Sequence, residues 1–196
     1  MELGDAIRRR RMIRSYSDEP VDLEAIRRIV SRARRGPSAG FSQGVYLIVV
    51  TEPSTRKELA RLADEDHYVE EGLPPWISVA PVHVVVCANE ADYHARYREP
   101  DKVKPDNSEI EWPIPYWFVD AGAAMMLLLL AALDEGLGAG FFGMHRLEGL
   151  RETLGIPEGV TPIGVVTIGH PRGEQPMGSA TRGWRPLEEV VRWGRW

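Results

Sequence analysis

Cysteine is almost absent from this 196-residue chain, with Cys87 standing alone. One thiol forms neither an internal disulfide nor a multi-thiolate zinc or iron-sulfur site, so a disulfide-stapled secreted fold is not expected. No charged-then-apolar leader opens the sequence, and a reducing, cytoplasmic setting is the expectation. Long hydrophobic runs are lacking too. The longest, 121–133, lies between Asp120 and Asp134 and falls short of the ~20 residues a bilayer span needs, so no membrane helix is expected. Lysine occurs only at 57, 102 and 104, against 21 arginines. Basic charge is not in excess, however: the formal net charge of -5 argues against a nucleic-acid binder, which usually carries a strong basic surplus.

What is present fits one ordinary domain, 43% hydrophobic and long enough to bury a full core. Residues 3–11 read as a short helix. A second opens at Asp22, with Leu23, Ile26, Val30 and Ala33 at helical spacing, and ends at Gly36-Pro37. Val45 to Thr51 is a continuous apolar run, rich in β-branched residues, that suits a strand buried on both faces. Ser54 is the expected cap of a third helix over 55–64. Pro81 opens a second strand, Val82 to Ala88, in which His83 and Cys87 read as core residues. From 92 to 115 the composition turns to Pro, Asp, Lys, Asn and Glu with scattered aromatics, which reads as a surface excursion and a mobile cover. Tyr116 to Glu135 is the longest helix, apolar nearly all round, and therefore expected at the centre of the fold. Leu147 to Leu154 reads as a helix, Pro162 to Ile168 as a third strand, and Leu187 to Arg192 as a short closing helix. A stretch near 37–44 or 139–142 is a candidate for added edge pairing. The fold class is α+β: a small mixed or antiparallel sheet among helices, one of them buried, in a single domain spanning 1–196.

Gly138-Ala139-Gly140-Phe141-Phe142-Gly143 matches the letter of the dinucleotide fingerprint G-x-G-x-x-G. Its context is wrong. The fingerprint follows a strand and precedes an acidic residue about 20 positions on, whereas here a long helix precedes it. What survives is close backbone approach, to a ligand or to a helix partner. The five histidines, at 67, 83, 94, 145 and 170, show no H-x-H or H-E-x-x-H spacing, so no metal site is expected. Asp64-Glu65-Asp66 reads as a solvated helix end. No nucleophile elbow, Cys-His signature or Walker loop supports a hydrolase or phosphotransferase.

The arginines are sharper. In Arg10-Arg11-Met12-Ile13-Arg14-Ser15-Tyr16, Arg10 and Arg14 stand i, i+4 if the first helix continues, which would converge guanidiniums on a terminal phosphate. A solvated arginine face is the ordinary alternative. Taken together with Pro37-Ser38-Ala39-Gly40-Phe41-Ser42-Gln43, the helix running from Asp120 through Leu137-Gly138 and the segment Pro162 to Pro171, this opening resembles the nitroreductase family of flavoproteins over nearly the whole chain. The first segment is similar to that family's R-R-S-x-R-x-F, the second to its P-S-x-x-N-x-Q.

The resemblance implies a homodimer with two flavin mononucleotides (FMN) between the protomers. It implies a hydride passed from NAD(P)H through FMN to a small organic acceptor of the quinone or nitroaromatic type. Carried over by position, Arg10, Arg11 and Arg14 would hold the flavin phosphate and ribityl side, beside Met12. Pro37, Ser38 and Gln43 would meet the ring edge, Phe142 and Gly143 would present backbone near the redox nitrogen, and Arg182 or Arg185 would make a second phosphate contact. No catalytic side chain and no metal is implied, because the cofactor carries the chemistry. Three departures stand out: Met12 for a serine, Phe41 for an asparagine, and Gly44-Val45 for Pro-Trp. They leave a deazaflavin open as a cofactor beside FMN. Two other readings of function stay open: a flavin-fragmenting, dimethylbenzimidazole-synthase-like enzyme, and a flavin-binding protein without turnover.

Overall fold

The computed structural model describes residues 1–143, 149–173 and 178–196. Four strands, β1 Val45–Val50, β2 Val82–Asn89, β3 Gly138–Phe142 and β4 Val160–Gly169, form one antiparallel sheet in the order β1-β2-β4-β3. The helices are α1 Leu3–Arg9, α2 Leu23–Ala33, α3 Pro53–Leu62, α4 Glu65–Glu70, α5 Glu90–Tyr97, α6 Tyr116–Asp134, α7 Leu150–Leu154 and α8 Leu187–Val190. The pairing expected near 139–142 is β3, whereas 37–44 forms a short 3-10 turn at Ala39–Phe41.

The central strands β2 and β4 explain the two cores. Successive side chains point to opposite faces, and in β2 both sets are apolar. Val82, Val84 and Val86 join Val166 and Ile168 under α2 and α6, where Ile26, Ile29, Ala33, Leu128 and Ala132 are buried. Val85, Cys87 and Val165 face Leu59 and Ala60 of α3, with Trp76, Ile77, Leu150 and Ile156. His83 and Cys87 are fully buried, as their places in the run imply. The sheet is thus covered on both sides, with α2 and α6 on one.

Several expectations need correction. β1 is an edge strand, not one buried on both faces: among the described residues it pairs with β2 alone, and Tyr46 and Val49 are exposed. Its apolar letters resemble those of β2 because β-branched residues favour strands whether or not both faces are covered. Ser54 caps nothing; α3 starts at Pro53 behind Glu52, proline's fixed φ suiting the first helical turn. α1 stops at Arg9, two residues early. In the acidic cluster, Glu65 is buried and accepts hydrogen bonds from the Ile77 and Ser78 amides, while Asp64 and Asp66 stay exposed. Of the helix expected from Leu147, the described part is α7, and Leu147 lies outside the described residues.

The segment 92–115 begins within α5, whose Tyr93 is fully buried. Beyond it, charges and rings tie the chain down. Arg96 pairs with Asp101 at 2.7 Å and Glu99 at 2.9 Å, and Arg98 with Glu109 at 2.9 Å. Glu109 also accepts from Trp112 Nε1 and meets His94, whose imidazole this hydrogen bond holds above its usual range. Trp112 stacks edge-on with Tyr97, ring centres 4.6 Å apart.

α6 has the length and hydropathy (1.8) of a membrane-crossing helix. Here Trp117, Ala121, Ala124, Leu128 and Ala132 pack inward while Phe118, Val119 and Met126 are exposed.

Candidate functional site

The arginine-rich arm leaves α1 as extended chain and runs along the open edge of β3. The Ile13 amide donates to Ala139 O at 3.0 Å, and Tyr16 bridges to Pro171. Glycine makes this possible: a Cβ on Gly138 would stand 2.8 Å from Ile13 Cγ1, and one on Gly140 would strike the Ile13 carbonyl. The surviving meaning of the G-A-G run is therefore close approach of the chain's own arm. Because the arm is extended, Arg10 and Arg14 do not share a helix face, contrary to the i, i+4 reading.

Arg10 and Arg11 line a small cleft of ≈ 90 Å³ with Arg9, Ile13, Gly138 and Pro171. Arg10 Nη1 is buried without a hydrogen-bond partner. An unpaired buried guanidinium nitrogen is costly, and an anion relieves that cost. Arg11 turns back instead, Nη1 donating to Arg8 O at 2.8 Å and Arg10 O at 3.0 Å, which satisfies carbonyls at the end of α1. Arg14 lies over the Trp76 ring at 5.8 Å. Met12 packs against the main core rather than facing either cleft.

The second basic and polar group lies at the C-terminal end of α2. Asp120, buried near the start of α6, accepts from the Ala39 amide and the Tyr93 hydroxyl, both at 2.8 Å. Burial, with the Asp120 carboxylate beside it, pushes the Tyr93 phenol far up, so it stays a donor. Ser38 Oγ accepts from the Gln43 amide at 2.7 Å, and Arg96 Nε donates to Gly40 O at 2.9 Å. So pinned, the turn holds Gly40, Phe41 and Gln43 at φ of 62°, 60° and 56°, left-handed values that cost free energy at the two non-glycine positions. Pro37, Ser38, Phe41 and Gln43 border a cleft of ≈ 510 Å³ together with Arg34, Arg35, Asp120 and Ala124.

Phe142 is buried at the end of β3 with its ring edge-on to Trp76 at 5.7 Å, and Gly143 is the first residue beyond that strand. Arg182 closes a short 3-10 helix, and Arg185 pairs with Glu189 at 3.2 Å; both are exposed and line neither cleft. Of the expected residues, Arg10 and Arg11 lie at one cleft and Pro37, Ser38 and Gln43 at another, the two clefts share no lining residue, and Met12, Arg14, Phe142, Gly143, Arg182 and Arg185 line neither. The sequence reading passed over Asp120, Arg34 and Arg35. Asp120 had a visible signal, a lone acid just before the longest apolar run.

The nitroreductase family profile matches residues 7–170. A protein of Archaeoglobus fulgidus named as an NADH dehydrogenase/NAD(P)H nitroreductase is 32% identical over 181 residues, 90% of each chain. An FMN reductase [NAD(P)H] of Bacillus subtilis is 32% identical over 163 residues, 82% of this chain and 62% of that protein. Among solved structures, NfrA1 of B. megaterium superposes with a TM-score of 0.77 at 26% identity, covering 98% of this chain and 74% of its own. With an antiparallel four-stranded α+β fold and an arginine arm laid along its glycine-rich edge, the chain belongs to the nitroreductase family.

Proposed function

We propose that this chain passes a hydride from NAD(P)H, through FMN bound between two copies of the chain, to a small acceptor of the quinone or nitroaromatic type. It is an NAD(P)H-dependent flavin oxidoreductase with FMN as its cofactor. The observation that carries the site is the separation of two half-sites: the arginine arm at one cleft, the Pro37-Ser38 turn with Arg34 and Arg35 at another. A second copy brings the Pro37-Ser38 turn of one chain beside the arm of the other.

The residues present fit the cofactor. The orphaned Arg10 Nη1 suits a phosphate, with Arg14 from the same arm as a second charge and either Arg182 or Arg185 as the more distant contact. Arg11, turned onto α1, has its remaining guanidinium nitrogens for the ribityl side. Ser38 Oγ accepts from Gln43 N and its hydroxyl also meets the Tyr93 phenol, while the Gln43 side-chain amide has no partner among the described residues. Phe142 and Gly143 offer backbone at the strand end. Bound FMN supplies the two-electron carrier, which is why the chain needs no acid-base dyad.

The test is spectroscopic. The purified protein should show flavin absorbance, or acquire it with added FMN, and should bleach with NADH or NADPH. The Arg10→Ala, Arg14→Ala double variant should lose flavin on dialysis, since each charge-assisted bond contributes on the order of 1.5–3 kcal/mol. Retention of stoichiometric flavin by that variant would show that the arm is a solvated face. A protein that neither holds nor takes up flavin refutes the whole reading.

A further inference from the structure

Two carboxylates are buried among the described residues, Glu65 and Asp120, and the fold serves them differently. Glu65 uses both oxygens, Oε1 accepting from the Ile77 and Ser78 amides and Oε2 from Ser78 again. Asp120, 4% exposed, takes both of its hydrogen bonds on a single oxygen. Oδ2 accepts from the Ala39 amide and the Tyr93 hydroxyl, each at 2.8 Å, while Oδ1 has no partner among the described residues. Both donors are neutral, and no cation among those residues pairs with the carboxylate. Taking a charge out of water is costly, and two neutral hydrogen bonds offset that cost only in part. The place of this charge gives it a use. Asp120 lines the ≈ 510 Å³ cleft together with Pro37, Ser38 and Gln43, the residues assigned above to the flavin ring edge. Arg34 and Arg35 border that cleft too, and neither is ion-paired with Asp120.

We infer that Asp120 sets the reducing power of the bound flavin, its negative charge making the ring a stronger reductant once NAD(P)H has reduced it. The inference rests on the flavin oxidoreductase reading above and adds to it the residue that fixes the driving force. A hydride added to a neutral ring leaves one negative charge there, and NAD(P)H departs as NAD(P)⁺. Like charges in a cleft that excludes water repel far more than in bulk solvent, so Asp120 weakens binding of the reduced cofactor and leaves that of the oxidised one unaffected. The acceptor then takes two electrons and two protons, one proton from the ring and one from water, which removes the negative charge and relieves the repulsion. A charge close to the ring is one of the means by which a protein tunes a flavin, and Tyr93 and the Ala39 turn hold Asp120 in place for it.

The midpoint potential of the bound flavin, read by spectroelectrochemical titration of the FMN-loaded protein, tests this without any turnover. The proteins are the wild type, Asp120→Asn and Tyr93→Phe. Asparagine keeps the shape of the side chain and one oxygen for the Ala39 amide and the Tyr93 hydroxyl, so it removes the charge and retains the turn. Relative to oxidised FMN, Asp120→Asn should bind reduced FMN about tenfold more tightly than the wild type does, the size of one unit-charge interaction across a partly desolvated cleft. For a two-electron couple that is an upward shift of about 30 mV. Tyr93→Phe removes one hydrogen bond from the same oxygen and leaves the charge, so its potential should not rise. An unchanged or lowered potential in Asp120→Asn overturns the inference, and so does an equal rise in Tyr93→Phe, which would assign the effect to the geometry of the turn. Should Asp120→Asn fail to fold, Asp120→Ser reads the same loss of charge, where a rise supports the inference and no rise overturns it. A wild type that takes up no FMN refutes the flavin reading and the inference together, and the missing flavin absorbance tells that failure apart from an unmoved potential, which refutes the inference alone.

Discussion

His83 shows how one buried residue sets a pH limit. Its imidazole lies in the core against Phe142, with Nε2 2.7 Å from Ile77 O and Nδ1 buried without a partner. Burial, with a small push from the Arg56 charge, holds it down from 6.5 to about 4. A depressed histidine contributes stability above its unfolded value and loses it in acid, because the unfolded chain takes a proton that the native state refuses. Stability should therefore drop by about 3 kcal/mol between pH 6.5 and 4 from this residue alone, levelling below. Urea midpoints over that range should fall less steeply in His83→Gln, and parallel slopes would remove His83 as the cause. Gly140 makes the other residue-scale prediction. Since its Cβ would strike the Ile13 carbonyl, Gly140→Ala should cost about 1–3 kcal/mol in denaturant unfolding. It should also loosen flavin, because the strained partner is the arm that carries Arg10 and Arg14. Full stability and full flavin content together would show that the arm stands off from β3.

Among the elements, the excursion is the one whose sequence was read least well. Its polar, proline-rich composition reads as a mobile cover, yet Tyr93 inside it is core and its remainder is clasped by Arg96, Arg98 and Glu109. Composition over a window averages a buried position with the exposed ones around it, so a single inward ring is lost. The clasp also touches the site: Arg96 bonds Gly40 O, and a Cβ on Gly40 would stand 2.5 Å from the Tyr97 ring. The segment thus supports the turn that presents Phe41. Replacing residues 99–108 by a short link should leave flavin content intact and reorder quinones and nitroaromatics by kcat/KM. An unchanged order would make the segment a bystander.

For the whole molecule, the exposed apolar residues define the open question of assembly. Leu3 and Ile7 on α1 and Phe118, Val119 and Met126 on α6 stand in solvent, as do Trp184, Trp193 and Trp196 near the C-terminus. Large exposed apolar surface marks an interaction site, and a second copy is the cover consistent with the two separated half-sites. Sedimentation should show a dimer at micromolar concentration, with flavin content following the dimer as the protein is diluted. A flavin-loaded monomer would contradict this.

The sequence alone determined what depends on composition and local pattern. The mostly apolar run of β2 pointed to cover on both faces, the helical spacing of Ile26, Val30 and Ala33 placed α2, and the order of the arginine and Pro-Ser-Gln segments pointed to the family. Tertiary structure decided what depends on residues distant in the chain. β1 became an edge because, among the described residues, nothing pairs on its far side. The arm left the helix because β3, over 120 residues further on, offered glycines and a free carbonyl at Ala139. Asp120 became the anchor of the Ala39 turn only once α5 and α6 brought Tyr93 and that turn to it. Such contacts are satisfied across the fold rather than along the chain, since burial favours pairing each hydrogen-bonding group with a partner wherever one lies.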